Sequence, residues 1–367
     1  MERAAAERQL RNVSWDDIRI FLACVQAGSF RSAAGQLRVA SSTVVRRIDR
    51  LESELGIPLF NRTTDGVVPT EEARSIVDHA RRMETAIYDV FRRVEAQDTT
   101  TRGVVRVSVT EGLGTYWIMP RLVEFQRQFP FLIIDLRCAM ENADVLRMEA
   151  DIGVQFVRPT SPDLIVTKLG RLHVYPFAAR SYAEIYGLPK TVEEMKRHRL
   201  VDQAAPQLDK GAWARLLGLD DVEGIVSLRT NLSSALLYAV EKGAGIGALP
   251  SYAAALGAPV VPVDIDIHHS MDIWMTYHPD TRRTKRVALV ADWIKRIFDP
   301  DTFPWFRDDF IHPSKFSDSL LVESSVNVGK GFAAAAPLVN EQTPVVRTAP
   351  ADSPQVRTAA ARAAGRR

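Results

Sequence analysis

No stretch of the chain approaches the ~18 consecutive apolar residues of a membrane-spanning helix, so a helical bilayer anchor is excluded and no membrane partner is expected. The opening residues, MERAAAERQLRN, carry arginines with no apolar segment behind them. They do not read as a secretory signal, and a cytoplasmic setting is the expectation. Cysteine is nearly absent. Cys24 falls inside a helical pattern and Cys138 closes a strand pattern far away, which argues against a disulfide framework and leaves two buried structural thiols. Lysine is missing before Lys168, so every positive side chain of the first third is an arginine. Arginine suits bidentate contacts to phosphate or guanine, although a GC-rich coding sequence would give the same bias. An excess of one charge is lacking too. Lys and Arg number 47 against 45 Asp and Glu, a net +2, so a nucleic-acid partner must be recognised from a local pattern.

Catalytic signatures are also missing: the chain has no GxSxG elbow, HExxH helix, CxxC pair, GxGxxG fingerprint or phosphate-loop lysine. His268 and His269 are adjacent and cannot share one face of a strand, which argues against a metal site. No catalytic residue, metal or cofactor is therefore expected. What remains is an ordinary globular composition, 46% hydrophobic and 25% charged over 367 residues, enough for two or three compact units.

Ile18, Phe21, Leu22 and Val25 follow helical spacing behind Asp16 and Asp17, and Gly28 ends that first helix. Ser29 caps a second, short helix in which Ala33, Ala34 and Leu37 admit a close neighbour. Val39 plugs the turn. A third helix turns Val44, Ile48, Leu51 and Leu55 inward, leaves Arg46, Arg47 and Arg50 outside, and stops at Gly56, which tolerates a left-handed C-cap. The run IPLFNRTTDGVVPT has short β-type segments around Asp65 and Gly66 and reads as a hairpin, or wing. Two helices joined by a short turn form a helix-turn-helix, in which the first supports the second for entry into a DNA major groove. A small helical bundle with a solvated arginine face is the alternative.

A long helix follows from Thr70, its N-cap, with Glu71 and Glu72 in the first turn, to about Gln97. Along it Ala73, Ile76, Ala80, Met83, Ile87, Val90 and Val94 are separated by 3, 4, 3, 4, 3 and 4, an a/d seam that predicts pairing with a second copy. Ile76, Ala80, Met83, Ile87, Val90 and Val94 are the candidate dimerisation residues. Packing of the same stripe on its own chain is the alternative. A dimer would hold two recognition helices at a fixed separation, as two-fold operators require.

From Gly103 to about Phe298, strand-like runs (VVRVSV, LIIDLRC, DIGVQF, IVSLRT, DIWMTY) alternate with helical patterns over 120–129, 231–242 and 284–298. Such alternation implies a largely parallel α/β sheet, or two of them. Ligands of these sheets sit beyond strand C-termini, near helix starts. Two places fit: TEGLGTY, with Thr110, Glu111 and Gly112, and TNLSSA, with Asn231, Ser233 and Ser234. Ordinary turn glycines and a helix cap are the competing reading. The ligand expected there is a small anionic organic molecule. From Asp299 onward periodicity fades. The aromatics of FPWFRDDFIHPSKF can pack back on the body, whereas the Ala/Pro/Arg-rich remainder cannot bury enough apolar surface, so 299–367 is expected to be largely disordered.

Over Val13 to Phe298 the chain resembles the LysR-type transcriptional regulators. GSFRSAAGQLRVASSTVVRRIDRLESELGIPLFNRT is similar to that family's winged helix-turn-helix signature, with weaker echoes in MPRLVEFQRQFP, EADIGVQF, GAGIGALP and HPDTRRTKR. The resemblance implies a winged helix-turn-helix over 13–70, a linker helix over 71–98 and a two-lobed periplasmic-binding-protein-like α/β effector domain over 103–298. One lobe would hold 103–163 and 268–298 and the other 164–267, with a small effector between them. Double-stranded promoter DNA is the implied partner of a homodimer or dimer of dimers, and RNA polymerase is a partner the resemblance allows. On this frame Arg46, Arg47, Arg50 and Arg62 are expected to hold phosphates or base edges. Ser41, Ser42 and Thr43 would point into the groove, and Arg31 or Ser32 would touch backbone. Several positions depart from the family pattern. Ala40 and Ser41 stand where Ser and Gln are usual, so Ser41 or Ser42 is expected to cap the third helix one step later. Val45 replaces a Ser and offers a methyl-bearing face to thymine, which shifts the expected base preference. Asp65 takes the place of a basic wing tip, and Arg74 that of a glycine. An enzyme or a solute-binding protein carried on a helical scaffold is the rival reading, and it lacks a catalytic constellation.

Overall fold

The computed structural model describes residues 13–316 except Asp65, 96–99 and 209–210. Three helices open the described residues, α1 (Trp15–Ala27), α2 (Phe30–Leu37) and α3 (Ser41–Leu55). The Ser14 hydroxyl accepts the Asp16 N–H at 3.2 Å, and Gly28 closes α1 at φ +66°. Ser29 accepts the Ser32 N–H at 3.0 Å, and Gly56 closes α3 at φ +71°. Two local expectations fail. Ser41 and Ser42 do not cap α3; both lie within its first turn, and the N-cap is Ala40, which offers no side-chain acceptor. Val39 does not plug the turn but is exposed, and it is Arg38, left-handed at φ 56°, that leads the chain out of α2.

The inward faces of these helices share one core with the wing, among them Phe21, Ala33, Val44, Ile48, Leu51, Leu59 and Val67. Cys24 lies inside it, where burial pushes the thiol up to about 12 and removes thiolate chemistry at neutral pH. Strands β1 (Phe60–Thr63) and β2 (Gly66–Pro69) pair antiparallel; Asp65 at the tip lies outside the described residues. The Gly28 carbonyl accepts the Val67 N–H at 2.8 Å, and a Cβ on Gly66 would run into that same carbonyl. The wing is thus locked to the end of α1.

Helix α4 (Glu71–Glu95) starts where the Thr70 hydroxyl accepts the Ala73 N–H at 3.1 Å. Its first turns complete the helix-turn-helix core, with Ala73, Val77 and Ala80 buried and Ile76 half-buried against it. Ala80 is therefore no dimer contact: at 2% exposure it is covered by its own chain, and Ile76 packs the same way. A heptad seam and an intramolecular stripe have the same period and differ only in what covers them. Beyond Ala80 the stripe emerges. Met83, Val90 and Val94 are exposed, Phe91 joins them, and Ile87 is half-buried.

The opposite face of α4 docks on the α/β body. Arg92, 1% exposed, donates to the Leu146 carbonyl and to Asp89, both at 2.6 Å. Arg147, from the same body loop, pairs with Glu84 at 2.7 Å and donates to Gln26 of α1 at 2.7 Å.

The body is one mixed sheet in the order β4-β3-β5-β11-β6-β9-β7-β8. Its strands are β3 (Gly103–Thr110), β4 (Leu132–Ala139), β5 (Ile152–Gln155), β6 (Ile165–Ala179), β7 (Leu200–Gln203), β8 (Val226–Thr230), β9 (Ile246–Pro250), β10 (Val260–Pro262), which pairs with β6, and β11 (His269–Tyr277). Both ends are parallel, β3 lying between β4 and β5 and β7 between β8 and β9. The middle is antiparallel, β11 with β5 and β6 and β6 with β9. The expected largely parallel arrangement is corrected by two strands, β6 and β11, that run in opposite directions through the centre. Their ladder extends from His269 opposite Val174 to Tyr277 opposite Ile165, with an irregularity opposite Ile273 and Trp274. Helices α5 (Met119–Gln128), α6 (Arg180–Tyr186), α7 (Val192–Met195), α8 (Ala212–Leu217), α9 (Ser233–Glu241), α10 (Pro279–Arg283) and α11 (Lys285–Ile297) cover the sheet.

Residues 299–316 are folded, as the packing back of their aromatics allowed, so the largely disordered extension expected over 299–367 does not begin at 299; 317–367 lie outside the described residues. Phe303, Trp305 and Phe306 are buried around Trp117, with ring centroids 4.9, 5.6 and 4.8 Å away in edge-on contact. The strap these residues form lies along the outer face of β6, where the Arg307 carbonyl meets His173 Nε2 at 2.8 Å and Asp308 pairs with Lys168 at 2.6 Å. Among the described residues no helix is long and apolar enough to cross a membrane. Trp305→Ala should destabilise the body by about 3–5 kcal/mol, read as a lower denaturant midpoint in equilibrium unfolding.

Candidate nucleic-acid interface and ligand cavity

The outer face of α3 carries Ser41, Ser42, Arg46, Asp49 and Arg50, all exposed, with Thr43 half-buried beside them. Burial of Val44, Ile48 and Leu51 on the other side fixes this orientation. Arg46 extends freely from the helix. Arg47 does not: it donates to Asp17 Oδ1 at 2.9 Å and approaches Asp16 at 3.3 Å, and Asp17 is itself buried. The hydrogen bond and charge of Asp17 raise the Arg47 pKa further. Of the expected DNA contacts, Arg47 therefore serves to bind α3 to α1. Arg50 also approaches Asp17, at 3.9 Å, but keeps half its side chain in solvent. Arg62, on the wing, lies 5.8 Å over the Phe30 ring and forms an exposed pair with Asp49 at 3.3 Å. Arg31 and Ser32 are exposed on α2. Arg38, exposed in the turn before α3, escaped the sequence reading, although its place between the two helices was a signal for it.

The effector candidates separate into two groups. Thr110, Gly112 and Ser233 line a cavity of about 390 Å³ that takes residues from both halves of the sheet, among them Met140 and Phe156 from one and Val201, Trp213 and Leu237 from the other. Glu111 and Ser234 do not line it; they bond to each other. The Glu111 carboxylate accepts the Ser234 N–H at 3.1 Å, occupying the start of α9, and it is 7% exposed. Asn231 is exposed and away from the lining. Gly112 is required by proximity, since a Cβ there would stand 2.8 Å from that of Ser233. Gly114 is a packing glycine, as a Cβ would collide with Cys138 and Val109.

Gln207, which sequence reasoning missed, joins the halves. Its Oε1 accepts from the Thr110 hydroxyl at 3.3 Å and from the Phe156 N–H at 3.2 Å, and its Nε2 donates to the Met140 carbonyl at 3.0 Å. A glutamine in a segment without periodicity gave no signal. The lining is mostly apolar, and its charged members are Asp202 and Glu241, both acids. Among the described residues the lining offers an anionic ligand, as expected from the two loops, no lysine or arginine, and the helix start is already filled by Glu111.

Residues 15–74 match the family model described as the bacterial regulatory helix-turn-helix protein, lysR family, and residues 98–299 match the LysR substrate binding domain. The chain is 34% identical over 184 residues to an HTH-type transcriptional regulator of Xanthomonas campestris, a match that covers 50% of this chain and spans about half, 54%, of that relative. It is 24% identical over 307 residues to the probable HTH-type transcriptional regulator LtrA of Klebsiella pneumoniae, covering 82% and 98% of the two chains. Among solved structures, a full-length variant of AphB is similar with a TM-score of 0.50 at 20% identity, covering 77% of this chain and 99% of that one. AphB is described as a virulence activator of Vibrio cholerae.

The differing environments of neighbouring arginines separate two roles. Arg47→Ala should lower the melting temperature of the protein by stranding buried Asp17, whereas Arg46→Ala should leave it unchanged, as scanning calorimetry would show.

Proposed function

Because the chain belongs to the LysR family of bacterial transcriptional regulators, we propose that it binds promoter DNA as a dimer and that a small molecule in the cavity alters that binding. The observation that carries the reading is the continuity of support. Helix α3, which bears the arginine face, packs on α1 and α2, α4 packs on α1 in the same core, and the loop holding Arg147 ties α1 and α4 to the α/β body that contains the cavity. In this reading Arg46, Arg50 and Arg62 meet the DNA backbone or base edges, Ser41, Ser42 and Thr43 face the groove, Arg31 and Ser32 touch flanking backbone, and Arg47 orients the helix. Met83, Ile87, Val90 and Val94, with Phe91, pair with a second copy, since exposed apolar side chains at heptad spacing gain most by burial against the same surface. Thr110, Gly112 and Ser233 belong to the effector site. The α/β body senses rather than catalyses.

Genome-wide mapping of occupied sites, followed by shift assays on those sites, tests the proposal; a full-length chain that occupies no discrete sites would refute it. Arg46→Ala should weaken binding to all sequences alike and lower the slope of log affinity against log salt by about one unit. Val90→Asp combined with Val94→Asp should turn the dimer into a monomer in sedimentation experiments and abolish operator binding, whereas an unchanged sedimentation coefficient would move the interface elsewhere.

A further inference from the structure

We propose that the molecule sensed in the cavity is a hydrophobic amine, its apolar body held along α9 and its protonated amino group seated against Glu241. The inference rests on the reading of this cavity as the effector site and adds the chemical class. It starts from the charge of the lining. Among the described residues neither lysine nor arginine contributes, and the two acids of the lining are Asp202 and Glu241. Asp202 is already neutralised by Arg229 at 2.9 Å. Among the described residues Glu241 has no hydrogen-bond or ion-pair partner. It is the last residue of α9, so the negative end of the helix adds to its attraction for a cation.

The other end of α9 excludes the opposite charge. Its exposed N–H groups would ordinarily favour an anion, but the buried Glu111 carboxylate holds the Ser234 N–H, and Gln203 Nε2 donates to the Ser233 hydroxyl at 3.0 Å. A ligand carboxylate would meet a fixed carboxylate in a site of reduced dielectric, where like charges repel more strongly than in water. Arg215 lies near His269 at the cavity edge, where burial, Arg215 and His268 together lower the imidazole pKa, but Arg215 is not part of the lining. Between the ends, Leu236 and Leu237 of α9 and Trp213 and Leu216 of α8 provide apolar walls. Ser233 and Glu241 are eight residues apart, about 12 Å along the helix, the length of an arylalkyl or medium alkyl amine.

Isothermal calorimetry on the full-length protein with two matched series, 4-phenylbutylamine, 4-phenylbutanol and 4-phenylbutyrate, and the n-octyl amine, alcohol and carboxylate, tests this. In at least one series the amine should bind, the alcohol should bind about tenfold more weakly or worse, and the carboxylate should give no heat. Glu241→Gln should weaken the amine about tenfold and leave the alcohol unchanged, and Leu237→Trp, which fills the cavity, should abolish both. A carboxylate that binds more tightly than its amine, and is lost in Leu237→Trp, would overturn the charge assignment while leaving the cavity as a ligand site. Amine affinity unchanged by Glu241→Gln would overturn it as well. Failure of both series to bind, or binding insensitive to Leu237→Trp, would overturn the proposal together with the reading of the cavity.

Discussion

The antiparallel ladder between β6 and β11 is the constraint on which the body depends. Both strands run through the middle of the sheet with a parallel cluster on either side, so each half is hydrogen-bonded to the same central ribbon. Side-chain alternation along a strand gives that ribbon two different faces. Leu172 and Val174 of β6 and Met271 of β11 line the cavity, while Arg171 and His173 turn toward the strap of residues 299–316. One surface of the ribbon therefore meets the cavity and the other is stapled by the chain's own aromatic segment. The rigidity of the centre is local to this ladder, and the contacts that close the halves on each other lie at its margins, at Glu111 and Gln207.

The charged groups of this molecule are arranged so that position, not composition, decides their role. Arg46 and Arg47 are consecutive, yet a rotation of about 100° around the helix places one in solvent and the other on a buried aspartate. Arg92 lies in a helix whose neighbouring turns are solvated, but it is withdrawn from water, its two terminal nitrogens donating to the Leu146 carbonyl of the body and to Asp89 of its own helix while its buried Nε has no partner among the described residues. Glu111 occupies the helix start that a ligand would otherwise claim.

Much of the N-terminal half was legible in the sequence because its signals are local. Ser29, Thr70, Gly28 and Gly56 mark helix ends through groups within a few residues, and Val44, Ile48 and Leu51 report their burial by spacing alone. The body was legible only in part. Strand β6, the longest of the described strands, contains Gly170 and Pro176, carries Lys168, Arg171 and His173 in its first part and is apolar on both faces only from Val174 on, so neither alternation nor uninterrupted composition announces it. The a/d seam was read correctly as a stripe and assigned the wrong cover at Ala80, because periodicity does not say which surface lies opposite. Thr110, Gly112 and Ser233, candidates because they follow a strand end or open a helix, do line the cavity, but its acidic members Asp202 and Glu241 come from distant segments that meet only on folding.

Gln207 gives the closure of the two halves a particular character. A single planar amide joins partners at the ends of β3, β4 and β5 at once. Separation at this edge would break all three bonds in one motion instead of loosening by degrees. The ends of these strands are therefore joined through one side chain contributed by the opposite half.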